Sequence, residues 1–423
     1  MSIYDYGFDN NLNKKIADNS SGVVYDTVDN ALNTGSMLQG GNLTLKTLSI
    51  GGLVRQVAPG DDIQAAIDAV NREGGGTVQL LAKTYTINDD INMRSNVSLV
   101  GQGIGVTIIN FVGNFSIITD GSNEYNTGTI TSVVGQTTVT GSGTAWLTNV
   151  TPFISNIFLN NRWHLIAAVG TNTSLTLAES YTGPTINAGT TYKIARPLQN
   201  ATLNGFTVQN SQGLNLQADL CKVLILKSIL LSGGAGSSNC NITNTSILTF
   251  DSIVSLDSTG HGFEIANCGI ISFDNCPAIS NTQDGFNLNN CKEISIDGCV
   301  IEGNSGDGMN ITNCTSLGIT NIGSSNNAGQ GIEFVGGNSE CFVFSSNIKN
   351  NTSDGVRLTA TCNSMVINSN VIAGNGGYGV NIANANDVSN IVSANVFYSN
   401  NSGQIGNSGT GTVARGNINQ VDI

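Results

Sequence analysis

Charge is scarce in this chain. Lys, Arg, Asp and Glu together make up 11% of 423 residues, and there are only 5 Pro, 2 Trp and 2 His. So little charge beside 39% hydrophobic residues is the wrong balance for a disordered polymer and unusual for a helical protein. No stretch approaches 18 consecutive apolar residues, which excludes a membrane-spanning helix. The start, Met1-Ser-Ile-Tyr-Asp-Tyr, lacks the basic and apolar regions of a secretory leader, so Sec-dependent export is not expected.

Positive charge is scarcer still. With 16 basic against 29 acidic residues, the formal charge is −13 and the pI near 4.4. That argues against nucleic acid, membrane surfaces and electrostatic steering of strongly acidic polysaccharides, unless a local basic patch overrides it. Cysteine numbers nine, an odd count whose spacing fits neither a zinc site nor a disulfide scaffold, so free thiols are expected.

What the chain has in abundance is Gly, 52 residues of it, with Asn, Ser and Thr at turns and Ile, Val and Leu between them. This mix suits stacked strands joined by tight corners. A repeat follows. Gly262-Phe-Glu-Ile, Gly285-Phe-Asn-Leu, Gly308-Met-Asn-Ile, Gly331-Ile-Glu-Phe, Gly355-Val-Arg-Leu and Gly379-Val-Asn-Ile are spaced by 23, 23, 23, 24 and 24 residues, with Gly213-Leu-Asn-Leu read as the first copy and Gly403 as the last. After each glycine the first and third residues are apolar and the second polar, a period of two with one side inward. Phe263, Ile265, Phe286, Leu288, Met309 and Ile311 are therefore expected in a core, and Asn215, Glu264, Asn287, Asn310, Glu333, Arg357 and Asn381 outside. A second strand is expected at Ile271-Ser-Phe, Ile294-Ser-Ile, Leu317-Gly-Ile, Phe342-Val-Phe and Met365-Val-Ile, and a third at Val300-Ile301 and Val371-Ile372.

Asn281, Asn304, Asn327, Asn351 and Asn375 each precede an anchoring glycine by four residues. Stacked at the strand spacing of ~4.8 Å they would form an asparagine ladder. Cys268, Cys291 and Cys314 make one column, with Cys362 near its phase, and Cys276 and Cys299 another; as small buried residues they suit an inward ladder. Repeats of this kind make a solenoid.

Before the repeat, Ile63, Ala66, Ile67 and Val70 fall on one helical face, between Asp61 or Asp62 as N-cap and Gly74 to Gly76 as terminator. Such a helix would cap the open end of the solenoid. With Gly76-Thr-Val-Gln-Leu-Leu-Ala-Lys-Thr-Tyr-Thr-Ile and Ser95-Asn-Val-Ser-Leu-Val-Gly-Gln-Gly it resembles the start of the pectate-lyase-like right-handed β-helix superfamily, over roughly residues 54 to 410. The resemblance implies an all-β chain: a right-handed single-stranded parallel β-helix with an N-terminal capping α-helix and an inserted small β-domain. Members include phage tailspikes, polysaccharide lyases, glycoside hydrolases and uronan epimerases, so it specifies the fold and leaves function to a site.

The expected organisation is an attachment or oligomerisation segment over 1–53, cap and first coils over 54–123, a small β-module over 124–197, coils over 198–410 and a tail over 411–423. The module, with its short strands and Gly, Asn and Ser turns, is similar to a small β-module of phage tail and virion proteins. Its tryptophans, Trp146 and Trp163, are read as core. That likeness implies a tailspike or tail-fibre protein that binds, and in some members depolymerises, a host cell-surface glycan. The family further implies a homotrimer whose N-terminal segment meets other virion proteins. A structural fibre or decoration protein and a bacterial lyase or epimerase are the alternatives.

Glycoside hydrolysis needs two carboxyl groups about 5 Å or ~6.5 to 9.5 Å apart, separations that stacked coils readily produce. Asp284 and Asp307, each before its glycine, with Asp354 in the same column, and Glu264 and Glu333 on the exposed face, are the catalytic candidates. His261 and Arg357 flank them, and Asn287, Asn310 and Asn381 are placed to bond sugar hydroxyls. An Asp-Gly pair is equally simple turn chemistry. Gly260-His261-Gly262 and Asn281-Thr-Gln-Asp-Gly285 resemble polygalacturonase motifs, but in the wrong order. No three carboxylates are expected on adjacent coils, so neither metal nor cofactor is implied.

Overall fold

In the computed structural model the described residues are 53–419, together with three short strands, Val24–Asp26, Ser36–Gln39 and Asn42–Leu45, which pair antiparallel with one another. Most of the expected attachment segment over 1–53, and residues 420–423, lie outside them.

Alternation of apolar and polar residues winds the chain into a three-faced parallel solenoid. Sheet one holds 11 strands, from Ile91–Asn92 to Gly403–Asn407. Sheet two begins at Leu53–Val57 and ends at Val413–Arg415, and sheet three runs from Thr84–Ile87 to Ile418–Asn419. Corners between sheets turn on single residues with positive φ: Asn267, Asn290 and Asn313 after sheet one, Asn275, Gly298 and Asn321 between sheets two and three. Asn and Gly tolerate this left-handed conformation at least cost, which explains their abundance.

The anchoring glycines have a steric cause. A Cβ on Gly285 would stand 2.7 Å from the carbonyl oxygen of Gly308, and one on Gly308 would stand 2.4 Å from that of Gly331. Beside them Phe263, Ile265, Phe286, Leu288, Met309 and Ile311 are all fully buried, as their alternation requires. The core is one continuous cluster from Val57 to Phe397.

The helix is Ile63–Arg72. Asp62 Oδ1 accepts from the Ala65 amide at 2.9 Å, and Ile63, Ala66, Ile67, Ala69 and Val70 are buried. In sequence it connects the first two strands of sheet two, which pair with each other, and its buried face covers that end of the core.

Register corrects several sequence expectations. Gly213 does not open the series: Leu216 pairs with Cys240 and Cys240 with Phe263, so Asn215 and Asn239 occupy the glycine position. Asn215 is accordingly buried and bonds Asn239 Oδ1, not solvent. At the other end Val380 pairs with Ile405, which puts Gln404 rather than Gly403 in line with Gly379. Phe342 faces outward over Gly318 and stacks on Phe344 at 4.7 Å, because the extra residue in that coil gives Cys341 the inward place. Residues 411–419 are not a tail, since parallel pairing continues through Val413–Arg415 and Ile418–Asn419.

The insertion leaves sheet one after Asp120 and returns at Pro197. It is an antiparallel eight-stranded sheet, from Ser122–Tyr125 to Lys193–Arg196 in sequence, around Ile130, Val139, Trp146, Ile157, Leu175 and Tyr181. Trp146 is core, as expected. Trp163 is not: it packs with Phe158, Ala195 and Leu220 where the module meets the solenoid. Its Nε1 donates to the Asn244 carbonyl at 2.9 Å and its backbone amide to Ser246 Oγ at 2.6 Å. Trp163→Ala should therefore release the module rather than unfold it, at about 3–5 kcal/mol. The expected result is protease cleavage near residues 121 and 197 with the circular-dichroism signal of the solenoid kept; wild-type protease resistance would refute this docking role.

Candidate functional site

The corner that leads into sheet one carries His261, Asp284, Asp307, Gln330, Asp354 and Tyr378, one per coil. Each of the first five side chains accepts a hydrogen bond from the backbone amide of the next residue in this column. His261 Nδ1 takes Asp284 N at 3.2 Å, Asp284 Oδ1 takes Asp307 N at 2.7 Å, and Asp307 Oδ1 takes Gln330 N at 2.6 Å. Gln330 Oε1 takes Asp354 N at 2.7 Å and Asp354 Oδ1 takes Tyr378 N at 2.6 Å. The column is a capping ladder, and the turn chemistry of Asp-Gly is real.

One oxygen of each carboxyl remains for the adjoining face. There sheet one presents Gln217, Asn241, Glu264, Asn287, Asn310, Glu333, Arg357 and Asn381 in register. Two groups form. In the first, His261 Nδ1 lies 3.3 Å from Asp284 Oδ2 and His261 Nε2 lies 3.2 Å from the Asn287 amide. Nδ1 accepts from the Asp284 backbone amide, and the donor and acceptor roles in the contact of Nε2 with Asn287 Nδ2 follow the tautomer of the ring.

The second group joins Asp307, Glu333, Arg357, Asp354 and Asn381. Arg357 Nη1 is 3.7 Å from Glu333 Oε1, Arg357 Nε is 4.0 Å from Asp354 Oδ2, and Asn381 Nδ2 donates to Asp354 Oδ2 at 2.8 Å. Burial pushes the Asp307 carboxyl up to about 7 against the pull of the Gln330 amide; repulsion from Asp284 and Glu333 and a hydrogen bond shared with Glu333 raise it further. Arg357 Nε is buried without a hydrogen-bond partner among the described residues.

The expected site residues thus converge except at the edges. Glu264 bonds Asn241 Nδ2 at 2.8 Å and Ser237 Oγ at 3.1 Å, on the flank, while Asn310 bonds Thr312 Oγ1 at 3.2 Å. Gln330, Asn241 and Gln217 also belong to these columns. Gln330 precedes its glycine just as the aspartates do, but a search for carboxylates passes over it. Contrary to expectation, three carboxylates do stack on adjacent coils: Asp251, Asp274 and Asp297 pair in register on sheet two. Their side chains lie on the outward positions of sheet two, beside the buried Phe250, Phe273 and Ile296. Hydrogen bonds from Thr320 and Asn321 hold Asp297 below its ordinary value. Among the described residues no group of three or more His, Cys, Asp or Glu is placed to hold a metal ion, and no helix is long and apolar enough to cross a membrane.

The nine cysteines are free and buried, and burial holds the thiols of Cys221, Cys240 and Cys291 well above their ordinary value.

Residues 261–419 match a family model described as right handed beta helix region. This solenoid is a right-handed β-helix. A curated relative, alginate lyase 7 of Azotobacter vinelandii, is 41% identical over 85 residues, 18% of this chain and 9% of the relative. Mannuronan C5-epimerase AlgE1 of the same organism is 39% identical over 83 residues, 18% of this chain and 5% of the relative. The chain thus spans less than a tenth of either protein. Among solved structures, the β-helix is similar to the A-module of Azotobacter vinelandii mannuronan C-5 epimerase AlgE6 at 16% identity and TM-score 0.48, covering 85% of this chain and 94% of that one. It is also similar to the Gp54 tailspike of Acinetobacter baumannii bacteriophage AP22, solved with a capsular saccharide, at 12% identity and TM-score 0.41, covering 84% and 67%.

Proposed function

We propose that this β-helix is a tailspike or tail-fibre protein of a phage virion that recognises a host surface polysaccharide on sheet one and cleaves it by acid–base chemistry. The observation that carries the chemistry is the Asp307–Glu333 pair. A carboxyl at about 7 is a proton donor matched to neutral pH, and Glu333, 3.7 Å from Arg357 Nη1, is the second carboxyl group of the pair. Asn287, Asn310 and Asn381 offer donors and acceptors to sugar hydroxyls but transfer no protons. The sequence character of the inserted module supports the viral setting, and the short alginate-lyase and epimerase likenesses favour a uronate-bearing polymer.

A fibre that binds without cleaving is favoured by a separate observation: Oδ1 of both Asp284 and Asp307 is engaged in capping backbone. Incubation with capsular and O-antigen polysaccharides and with mannuronan separates these readings. New reducing ends without unsaturation report a hydrolase and unsaturated uronates a lyase, whereas binding without products reports the fibre. A polymer neither bound nor cut would overturn sheet one as a glycan site. The same reading has three chains per particle, so light scattering that gives the mass of one chain would remove the trimer.

A further inference from the structure

The module does more than sit on the solenoid. Its hairpin turn, Asn160-Asn161, both at positive φ, reaches over the corner column Asn244, Asn267 and Asn290. Asn161 Nδ2 donates to the carbonyls of Cys268 at 3.1 Å and Asn290 at 2.6 Å. Between module and column lies a cleft of about 520 Å³, lined among others by Phe158, Asn160, Lys193, Asn244, Asn267 and Asn290. That volume is within the range of small-ligand sites.

Its chemistry is specific. Asn290 Nδ2 donates to Asn267 Oδ1 at 2.7 Å and Asn244 Nδ2 to Asp219 Oδ1 at 2.6 Å, which leaves the Asn267 amide nitrogen and the Asn244 and Asn290 oxygens for a ligand. Phe158 packs one side of its ring on Trp163 at 4.8 Å, and the half-buried ring borders the cleft. Basic residues gather here although the chain carries a charge of −13. Arg162 is held by Glu293 at 2.5 Å and Lys292 bonds Asn160, whereas no carboxylate among the described residues pairs with Lys193.

We propose that this cleft binds an acidic oligosaccharide. The asparagine column and Asn160 bond its hydroxyls, Phe158 takes the apolar face of a pyranose ring, and Lys193 takes a uronate carboxylate. The proposal rests on the polysaccharide reading and adds to it a subsite at the far edge of sheet one. From Asp284 to Asn290 a strand advances ~20 Å at ~3.3 Å per residue, so one extended glycan can reach both places.

Calorimetric titration of the full chain with hexasaccharides of mannuronate and of galacturonate, and with neutral maltohexaose, tests it. Lys193→Gln removes the charge, and Asn267→Asp keeps the acceptor for Asn290 while adding a repelling carboxylate. Each should weaken binding of an acidic hexasaccharide at least ~10-fold, the order expected for one charged contact, with binding falling further as salt rises. Unchanged affinity in both variants, equal affinity for maltohexaose, or no binding of either acidic probe would overturn it. Cleavage lost in Asp307→Asn but acidic binding intact in Lys193→Gln removes the cleft and keeps the sheet-one site. Binding lost in Lys193→Gln with cleavage intact in Asp307→Asn does the reverse.

Discussion

Asp307→Asn is expected to cut cleavage of the polysaccharide by about 10²- to 10⁴-fold, the range of a lost general acid, with the β-helix intact. The variant is clean because the amide oxygen still accepts the Gln330 amide, as Asp307 Oδ1 does at 2.6 Å; only the transferable proton goes. Wild-type cleavage should decline as pH rises through about 7, where the carboxyl loses that proton. Stability moves in the same direction. The carboxyl titrates higher in the fold than the ~3.9 of an unfolded Asp, so its contribution is complete below ~4 and is lost as pH rises through about 7. Asp307→Asn should therefore melt above the wild type at pH 8, and the difference should shrink towards pH 5. Cleavage by the variant at the wild-type rate would remove the Asp307–Glu333 pair from the chemistry.

The part of the fold that could be read from sequence is the part where one residue type has one steric job. Glycine at 262, 285, 308, 331, 355 and 379 is excluded from bearing a Cβ by the carbonyl of a neighbouring coil, and this fixed the phase of sheet one. Where another residue fills that slot, as Asn215, Asn239 and Gln404 do, the phase could not be followed. Columns also change residue type while keeping their hydrogen bond. The Asn281 ladder was visible because it is uniform. The cysteine column was visible only as apolar filler, yet Cys314 Sγ accepts the Cys291 amide at 3.4 Å, Asn338 Oδ1 takes the Cys314 amide at 2.8 Å, and Asp387 Oδ1 takes that of Cys362 at 2.8 Å. Sulfur and amide oxygen do the same task one coil apart, and no single-letter pattern records it.

The site was legible as a list of outward side chains, because alternation after each glycine decides which residues face solvent. What sequence did not reveal is how near they come. Asp307 and Glu333 stand 26 positions apart in the chain, and their coupling depends on the corner turning one column beside the next. The role of Trp163 was hidden for a related reason. Burial is common to module core and docking surface, and only the meeting with Asn244 and Ser246 tells them apart.

The largest loss of stability is expected from Asn327→Ala, in the middle of the ladder. Asn327 is fully buried. Its Oδ1 accepts from the amide and side chain of Asn304 at 3.1 and 2.9 Å, and its Nδ2 donates to Asn351 Oδ1 at 2.9 Å, Ser324 Oγ at 3.2 Å and the Ile301 carbonyl at 3.3 Å. Alanine leaves the Asn304 backbone amide buried without its acceptor and removes four further hydrogen bonds, although the Asn304 side chain, Asn351 Oδ1 and Ser324 Oγ each keep another partner, the Ala278 carbonyl, the amide of residue 327 and the Gly331 carbonyl. At about 1–3 kcal/mol for the unsatisfied amide and about 1 kcal/mol for each of the other lost hydrogen bonds, and with partial relaxation, the loss is about 4–6 kcal/mol, measurable by denaturant or thermal unfolding. Coils contact only their neighbours, so hydrogen exchange should rise first in the coils carrying Asn304, Asn327 and Asn351, not at the capping helix. Asn327→Asp separates hydrogen bonding from packing. The shape and acceptor are kept, but an ionised carboxylate there would be buried facing Asn351 Oδ1 and the Ile301 carbonyl, which drives its folded-state pKa upward. That variant should be far more stable at pH 5 than at pH 8. Equal melting of Asn327→Asp at both pH values would mean that the ladder is filled by shape alone.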